Sequence, residues 1–392
     1  MKQSCIYIII LYIGIVLTGC RDSITLPEEG PRTEAERTVI VYMVADNNLS
    51  PAVREDTMEM ARGKDFIPEN VNFVVYVDDR THCPAIYELS KKKGIQLWKQ
   101  YDEELCSTDG GVMLEALSEI VTNFPARHYG IGFWSHATGW TPRRNTFGKD
   151  DTRGKNEGPV EMEIPVLRDV LSHLPKLDYI FFDACFMQCI EVAYELREMT
   201  DFMVGSPAEI PGPGAPYEKI MEALCKGDAK GIVEGYDSGY PGEYNRYFYP
   251  GVLLSCIDCN ELEPLAEATG RLLTPFYMER SEPSPAEFQA YCDYLSKYTH
   301  YYDMRTTMCR LLSEEDYAEW MVLMDKAVPF RTLSDSHSWF ANYCSYSTVR
   351  DPSCYSGVSM FVPMKSYDVY GWNEEFRNTS WYDATGWAVT GW

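Results

Sequence analysis

The chain has 392 residues, 45% of them hydrophobic and 24% charged, with a formal net charge of −24. That apolar share supports a sizeable core and argues against a disordered or fibrous chain. The charge argues against nucleic acid as a partner, because phosphate backbones are held by clustered Lys and Arg. It suits solubility and, equally, long-range attraction of cationic ligands.

Lys2 precedes an apolar stretch over residues 5–16, closed by Leu17-Thr18-Gly19-Cys20. The stretch is short for a membrane span and fits a signal peptide over residues 1–19. It resembles a bacterial lipoprotein signal, which implies cleavage before Cys20, lipidation of that thiol and anchoring in the cell envelope, at the outer membrane or cell surface. Cleavage removes only Lys2 among charged residues and leaves a net charge of −25. Residues 20–37 are polar, carry Pro27 and Pro31, and read as a flexible tether. The folded domain is expected over 38–392, as a core over 38–260 and a C-terminal part over 261–392.

Residues 38–45 form a β-branched, apolar run that reads as the first core strand, ending at Asp46-Asn47-Asn48-Leu49 before a helix start at Ser50-Pro51. Residues 71–77 read as a second strand ending at Asp78-Asp79. Residues 86–89 and 95–98 form a hairpin around Lys91-Lys92-Lys93-Gly94, and residues 111–121 carry apolar positions at helical spacing. Tyr129-Gly130-Ile131-Gly132-Phe133-Trp134 reads as a strand that ends in Ser135-His136. Residues 141–158 are basic, glycine-bearing and poor in apolar side chains, so they read as an exposed or disordered loop. A helix is expected over 162–174. Tyr179-Ile180-Phe181-Phe182 is the next strand; Asp183-Ala184-Cys185 ends it, and apolar residues at helical spacing follow. Strands are expected at 202–205, 252–257 and 356–362, and a helix over 260–273. Strands alternating with helices imply a mainly parallel sheet. The tail from residue 367, with Trp372, Trp381, Trp387 and Trp392, reads as a packed aromatic cap.

Three strands thus end in polar motifs, at Asp46, His136 and Asp183. In parallel α/β sheets the carboxyl edge collects ligands and chemistry. Cys185 is expected where the strand passes into a helix, whose N-terminus would lower the thiol's pKa. His136 lies 49 positions upstream of Cys185, close to the His-to-Cys separation of caspases. An imidazole that takes the thiol's proton and passes it to a leaving amine is the arrangement for nucleophilic catalysis.

Together these stretches resemble the clostripain-like cysteine peptidases, relatives of caspases, gingipains and legumain. The likeness rests on Tyr42-Met43-Val44-Ala45-Asp46-Asn47-Asn48-Leu49, Trp134-Ser135-His136 with Gly139-Trp140, and Asp183-Ala184-Cys185 with Met187. It continues in residues 191–196 and, more weakly, in Gly357-Val358-Ser359. The resemblance implies a caspase-like α/β/α sandwich with a mainly parallel central sheet and a C-terminal extension. It implies a Cys185–His136 dyad without a required third member. The backbone N–H groups of Cys185 and Ala137 would serve as oxyanion donors; the family usually has Gly at the second position. It implies a pocket for Arg or Lys formed by Asp183, with Glu209 the nearest match to a second acid, although Ser206-Pro207-Ala208-Glu209 departs from the family's Ser-Glu. The family's zymogens are cut between the His and the Cys, so self-cleavage is expected after Lys149 or Arg153, then Arg144. The implied substrates are proteins or peptides with Arg or Lys.

Thirteen cysteines are present, and their irregular spacing specifies no pairing. Cys256 and Cys259 form a C-x-x-C without a second pair and read as buried thiols; Cys189 reads as core. The family sometimes uses calcium. Asp78-Asp79 and Asp150-Asp151 are acidic, but no coordinating loop pattern surrounds them, so no cofactor is expected. The competing function is a binding lipoprotein that kept the fold and lost catalysis; a thiol-metal protein is a more distant alternative.

Overall fold

The computed structural model describes residues 32–140, 146–152, 158–240, 251–278, 288–291, 300–333, 338–341, 345–390 and 392. Lipidation at Cys20 and cleavage after Arg144 or Arg153 lie outside the described residues. The chain divides into Met1–Pro31 and Arg32–Trp392, and the second unit carries the fold.

In chain order come β1 (Ala35–Ala45), α1 (Val53–Arg62), β2 (Val71–Asp79), the hairpin β3 (His82–Ser90) and β4 (Gly94–Gln100), and α2 (Gly110–Asn123). Next are β5 (Ala126–Trp134), β6 (Ala137–Gly139), β7 (Thr146–Asp150), β8 (Val160–Glu163), α3 (Ile164–Leu171), β9 (Leu177–Asp183), α4 (Ile190–Leu196) and β10 (Thr200–Gly205). Then follow α5 (Tyr217–Lys226), α6 (Ala229–Asp237), β11 (Leu254–Asp258), α7 (Leu262–Met278), β12 (Ala290–Tyr291), β13 (Tyr301–Asp303), α8 (Met304–Leu311), α9 (Glu314–Ala327) and β14 (Phe330–Thr332). The chain ends with the hairpin β15 (Ser338–Ala341) and β16 (Ser345–Thr348), β17 (Ser359–Met360), α10 (Trp372–Phe376) and α11 (Ser380–Ala384).

Among the described residues, nine strands form the central sheet in the order β14-β11-β10-β9-β5-β1-β2-β3-β4. The five middle strands are parallel and the two pairs at the edges antiparallel. Alternate residues of β1 explain its unbroken apolar run. Val39, Val41, Met43 and Ala45 pack in one core with side chains of α1, α5 and α6. Ile40, Tyr42 and Val44 pack in another with α2, α3, α4 and α7. A strand covered on both faces has no polar side. This is the mainly parallel α/β/α sandwich expected from the sequence.

Four expectations need correction. Residues 146–150, read as loop, form β7 between β6 and β8. Phe147 anchors it, with its ring 5.1 Å from Phe133 and 6.1 Å from Phe182; one well-placed aromatic outweighs the surrounding polarity. The helix expected over 162–174 begins only at Ile164, after β8, with Pro165 in its first turn, where a missing N–H costs nothing. Cys185 does not stand at a helix N-terminus, since α4 begins at Ile190 with Cys189 as its cap. Residues 356–362 are not a strand of the central sheet. Only Ser359–Met360 is extended, in a small sheet with β12 and β13. The amides around it are used elsewhere, Ser359 N–H donating to Gln188 O and Phe361 N–H to Glu191 Oε1.

The aromatic tail packs as a cap, with Trp381 and Trp387 fully buried. Among the described residues no helix is long and apolar enough to cross a membrane.

Candidate active site

Strand register brings His136 and Cys185 to one level. Trp134 of β5 pairs with Asp183 of β9, and His136 and Cys185 each follow two residues later. Neighbouring strands run about 5 Å apart, so the chain leaves the sheet at both positions side by side. Both side chains are half-buried, and both line one cavity of about 260 Å³, together with Asn48, Asp183 and Glu209.

The Cys185 turn is strained. Phe186 has φ 61°, the left-handed region for a bulky residue, a conformation that persists only where neighbours impose it. Those neighbours are identifiable. Phe186 N–H donates to Ala208 O (3.0 Å) and Gln188 N–H to Ser206 O (3.0 Å). The Phe186 ring stacks on Tyr301 at 4.7 Å, whose hydroxyl donates to Thr138 O. Gly139, with φ 57°, lies so close that a Cβ there would stand 2.1 Å from Phe186 O. Trp140 N–H points to the Cys189 sulfur (3.3 Å). The left-handed residue stops a helix from starting at Cys185, and it ties the His136 loop to the Cys185 loop by direct backbone contact. Ile210 N–H reaches Cys185 Sγ at 3.5 Å.

His136 is held by two elements. Gly148 N–H donates to its carbonyl (2.9 Å), and its Nε2 lies 2.9 Å from Asn48 Oδ1. An amide oxygen only accepts, so Nε2 carries the proton and Nδ1 keeps its lone pair. Burial, then the nearby Lys149 ammonium, hold the imidazole below its ordinary pKa; Asp151 opposes them. A neutral imidazole is the form that accepts a proton. Asn48 was not expected as a site residue, although it stands in the motif that ends β1. The missing signal was the register of β1 beside β5, Met43 pairing with Trp134.

Asp183 is buried at the base of the cavity. Its Oδ2 accepts from Ala215 N–H (2.9 Å) and Tyr217 OH (3.3 Å), and its Oδ1 from Tyr236 OH (3.2 Å). Gly214, at φ 69°, lets the chain pass where a Cβ would stand 2.9 Å from Oδ2. Burial pushes the Asp183 carboxyl up to about 7, against the pull of those three donors. Glu209 is buried on the same cavity wall.

The other sequence candidates fall as follows. Ala137 opens β6 directly after His136. Lys149 is half-buried on β7, its N–H directed at Ser135 Oγ (3.3 Å) and its carbonyl accepting from Asn47 Nδ2 (2.7 Å). Cys189, Cys256 and Cys259 are buried thiols. Three of the four acids in the acidic pairs have local duties: Asp79 caps the turn at Thr81, Asp150 accepts from Ser107 and Thr152 N–H, and Asp151 pairs with Arg80. Among the described residues no three His, Cys, Asp or Glu side chains converge as metal ligands.

The clostripain family model matches residues 41–392. Clostripain of Hathewaya histolytica is 26% identical over 223 residues, which cover 48% of this chain and 42% of that protein, less than half its length. A secreted C11 cysteine protease of Bacteroides thetaiotaomicron, solved with an irreversible peptide inhibitor, is 30% identical with TM-score 0.79, covering 91% of this chain and all of that one. An inactive zymogen C11 protease of Parabacteroides distasonis is 28% identical with TM-score 0.76, covering 90% of this chain and 99% of that one. With the family's motifs lying on one edge of the sheet, the chain belongs to the clostripain family.

Proposed function

We propose that this protein hydrolyses peptide bonds after Arg or Lys with Cys185 as nucleophile and His136 as its base. The observation that carries the reading is the single cavity shared by Cys185, His136, Asp183 and Glu209. His136 Nδ1 takes the thiol proton, and the Cys185 thiolate adds to the scissile carbonyl carbon. The backbone N–H groups of Cys185 and Ala137 receive the developing oxyanion. The tetrahedral intermediate collapses as His136 returns its proton to the departing amine, leaving a thioester on Cys185. Water, deprotonated by His136, then attacks the thioester and releases the carboxylic acid and the free thiol. Asn48 acts as a positioning residue by fixing the ring and its tautomer.

Specificity follows from the buried acid. A guanidinium entering the cavity meets the Asp183 carboxylate and restores its charge by pairing with it. Glu209 lies within the same cavity wall. We infer further that the chain is exported and lipid-anchored through Cys20, in keeping with its leader and with a relative described as secreted. Activation by cleavage after Lys149 is part of the same reading. β7 carries that residue beside His136, and a zymogen is known among the relatives.

The test uses the chain from residue 21 onward. Fluorogenic peptides with Arg, Lys, Leu or Asp before the scissile bond are compared for wild type, Cys185→Ala and His136→Ala, and intact mass is read for each. Basic substrates should win, and both variants should lose nearly all turnover. Two fragments meeting at Lys149 should form only where Cys185 is present. A fully active Cys185→Ala protein would reject the nucleophile. A preference for Leu unchanged by Asp183→Ala would reject the pocket.

A further inference from the structure

A second cavity, of about 480 Å³, lies in the C-terminal part and is lined by Thr306, Cys309, Arg310, Arg350, Asp351 and Cys354, with Gln289. Two thiols face it from different segments. Cys309 stands one helical turn after Thr306 on α8, and Thr306 Oγ1 donates to the carbonyl of Cys354 (3.1 Å). That bond holds the turn at Pro352–Cys354 against the face of α8 that carries Cys309. Both thiols are half-buried, whereas Cys189, Cys225, Cys256 and Cys259 are closed off in the core. Burial raises the Cys354 thiol, and Cys309 is among the neighbours that raise it further, as expected of two thiols at close quarters.

We propose that Cys309 and Cys354 form a disulfide when the protein meets a thiol–disulfide exchange partner. The Cys309 thiolate attacks a sulfur of the incoming disulfide, whose S–S bond breaks and releases one thiol. The Cys354 thiolate then attacks the mixed disulfide at Cys309 and expels the second thiol. The protein loses two protons and two electrons, and the partner gains them. The bond closes a 46-residue loop, residues 309–354, and staples α8 to the segment before β17. The staple bears on the active site through defined contacts. Asp303, the cap of α8, accepts from Ser356 N–H (2.9 Å), and Tyr301, two residues earlier, stacks on Phe186. The proposal is independent of peptidase activity.

The test uses the chain from residue 21 with Cys185→Ala, so that neither cleavage nor oxidation of Cys185 intervenes. The folded protein is equilibrated with glutathione disulfide, its remaining thiols are alkylated at low pH, and a non-reducing peptide map is read by mass. One linked pair containing Cys309 and Cys354, lighter by two hydrogens than the separate peptides, is expected. Cys309→Ser and Cys354→Ser should each abolish that pair and leave the other thiol alkylated. From the closed-loop length, the thermal midpoint should be about 5 °C higher oxidised than reduced, with no such difference in either serine variant. Both thiols alkylated after oxidation, or either thiol joined to a different cysteine, would each overturn the proposal.

Discussion

Gly139→Ala would report whether the His136 and Cys185 loops are held in register by backbone contact. Two costs arise. A non-glycine residue in the left-handed region costs about 1–2 kcal/mol. The new Cβ would also stand 2.1 Å from Phe186 O and 2.9 Å from Phe186 C. Both atoms are backbone, so no side-chain rotation relieves the clash; the loops must separate by about 1 Å to reach ordinary contact. A misplacement of that size in reacting groups costs about 10²-fold in rate. The expected result is a fall of about a hundredfold in kcat with KM within a few-fold of wild type, in a protein that remains folded by circular dichroism. Gly386→Ala is the control, since Gly386 also has positive φ (67°) but nothing lies within 4 Å of its Cβ position. It should lower the thermal midpoint by about 1–3 °C and leave turnover unchanged. A Gly139→Ala protein with kcat within threefold of wild type would refute the reasoning, as would equal losses in the two variants.

Further expectations concern charge. Asn48→Asp places a carboxylate on His136 Nε2, so the acidic limb of the kcat/KM profile should move to higher pH, while Asn48→Ala should lower kcat by about tenfold or more. Because burial holds the Asp183 carboxyl at about 7, kcat/KM for Arg substrates should rise between pH 6 and 8. Leu substrates should show only the lower His136 limb, and Asp183→Asn should erase the difference. Asp56 bears on stability. Burial, with Asp183 nearby, raises it to about 8 from 3.8, and it accepts from Trp134 Nε1. The folded state therefore binds a proton that the unfolded state lacks between those values, and stability falls as pH rises toward 8. One such proton is worth about 2 kcal/mol between pH 6 and 8. Thermal unfolding of the Cys185→Ala protein should show that decline, and Asp56→Asn should reduce it.

Much of this was already legible in the order of residue types. A short, β-branched apolar run such as 39–45, bounded by polar turn residues, reads as a strand covered on both faces, and polar motifs at the ends of such runs share one edge when the sheet is parallel. The common edge of His136, Cys185 and Asp183 was readable for that reason, the roles expected of them came from the resemblance to the family's motifs, and the aromatic cap came from the tryptophans of the tail. Tertiary structure decided the rest. Whether Cys185 begins a helix depended on Phe186 adopting φ 61°, which no local preference favours and which Ala208, Tyr301 and Gly139 impose from other segments. Whether residues 146–150 form a strand depended on the space Phe147 finds between Phe133 and Phe182. Asn48 became a partner of His136 only once β1 and β5 lay side by side in register. Periodicity and turn chemistry are local and survive in a single sequence, whereas contacts between segments far apart in the chain exist only after the sheet has assembled.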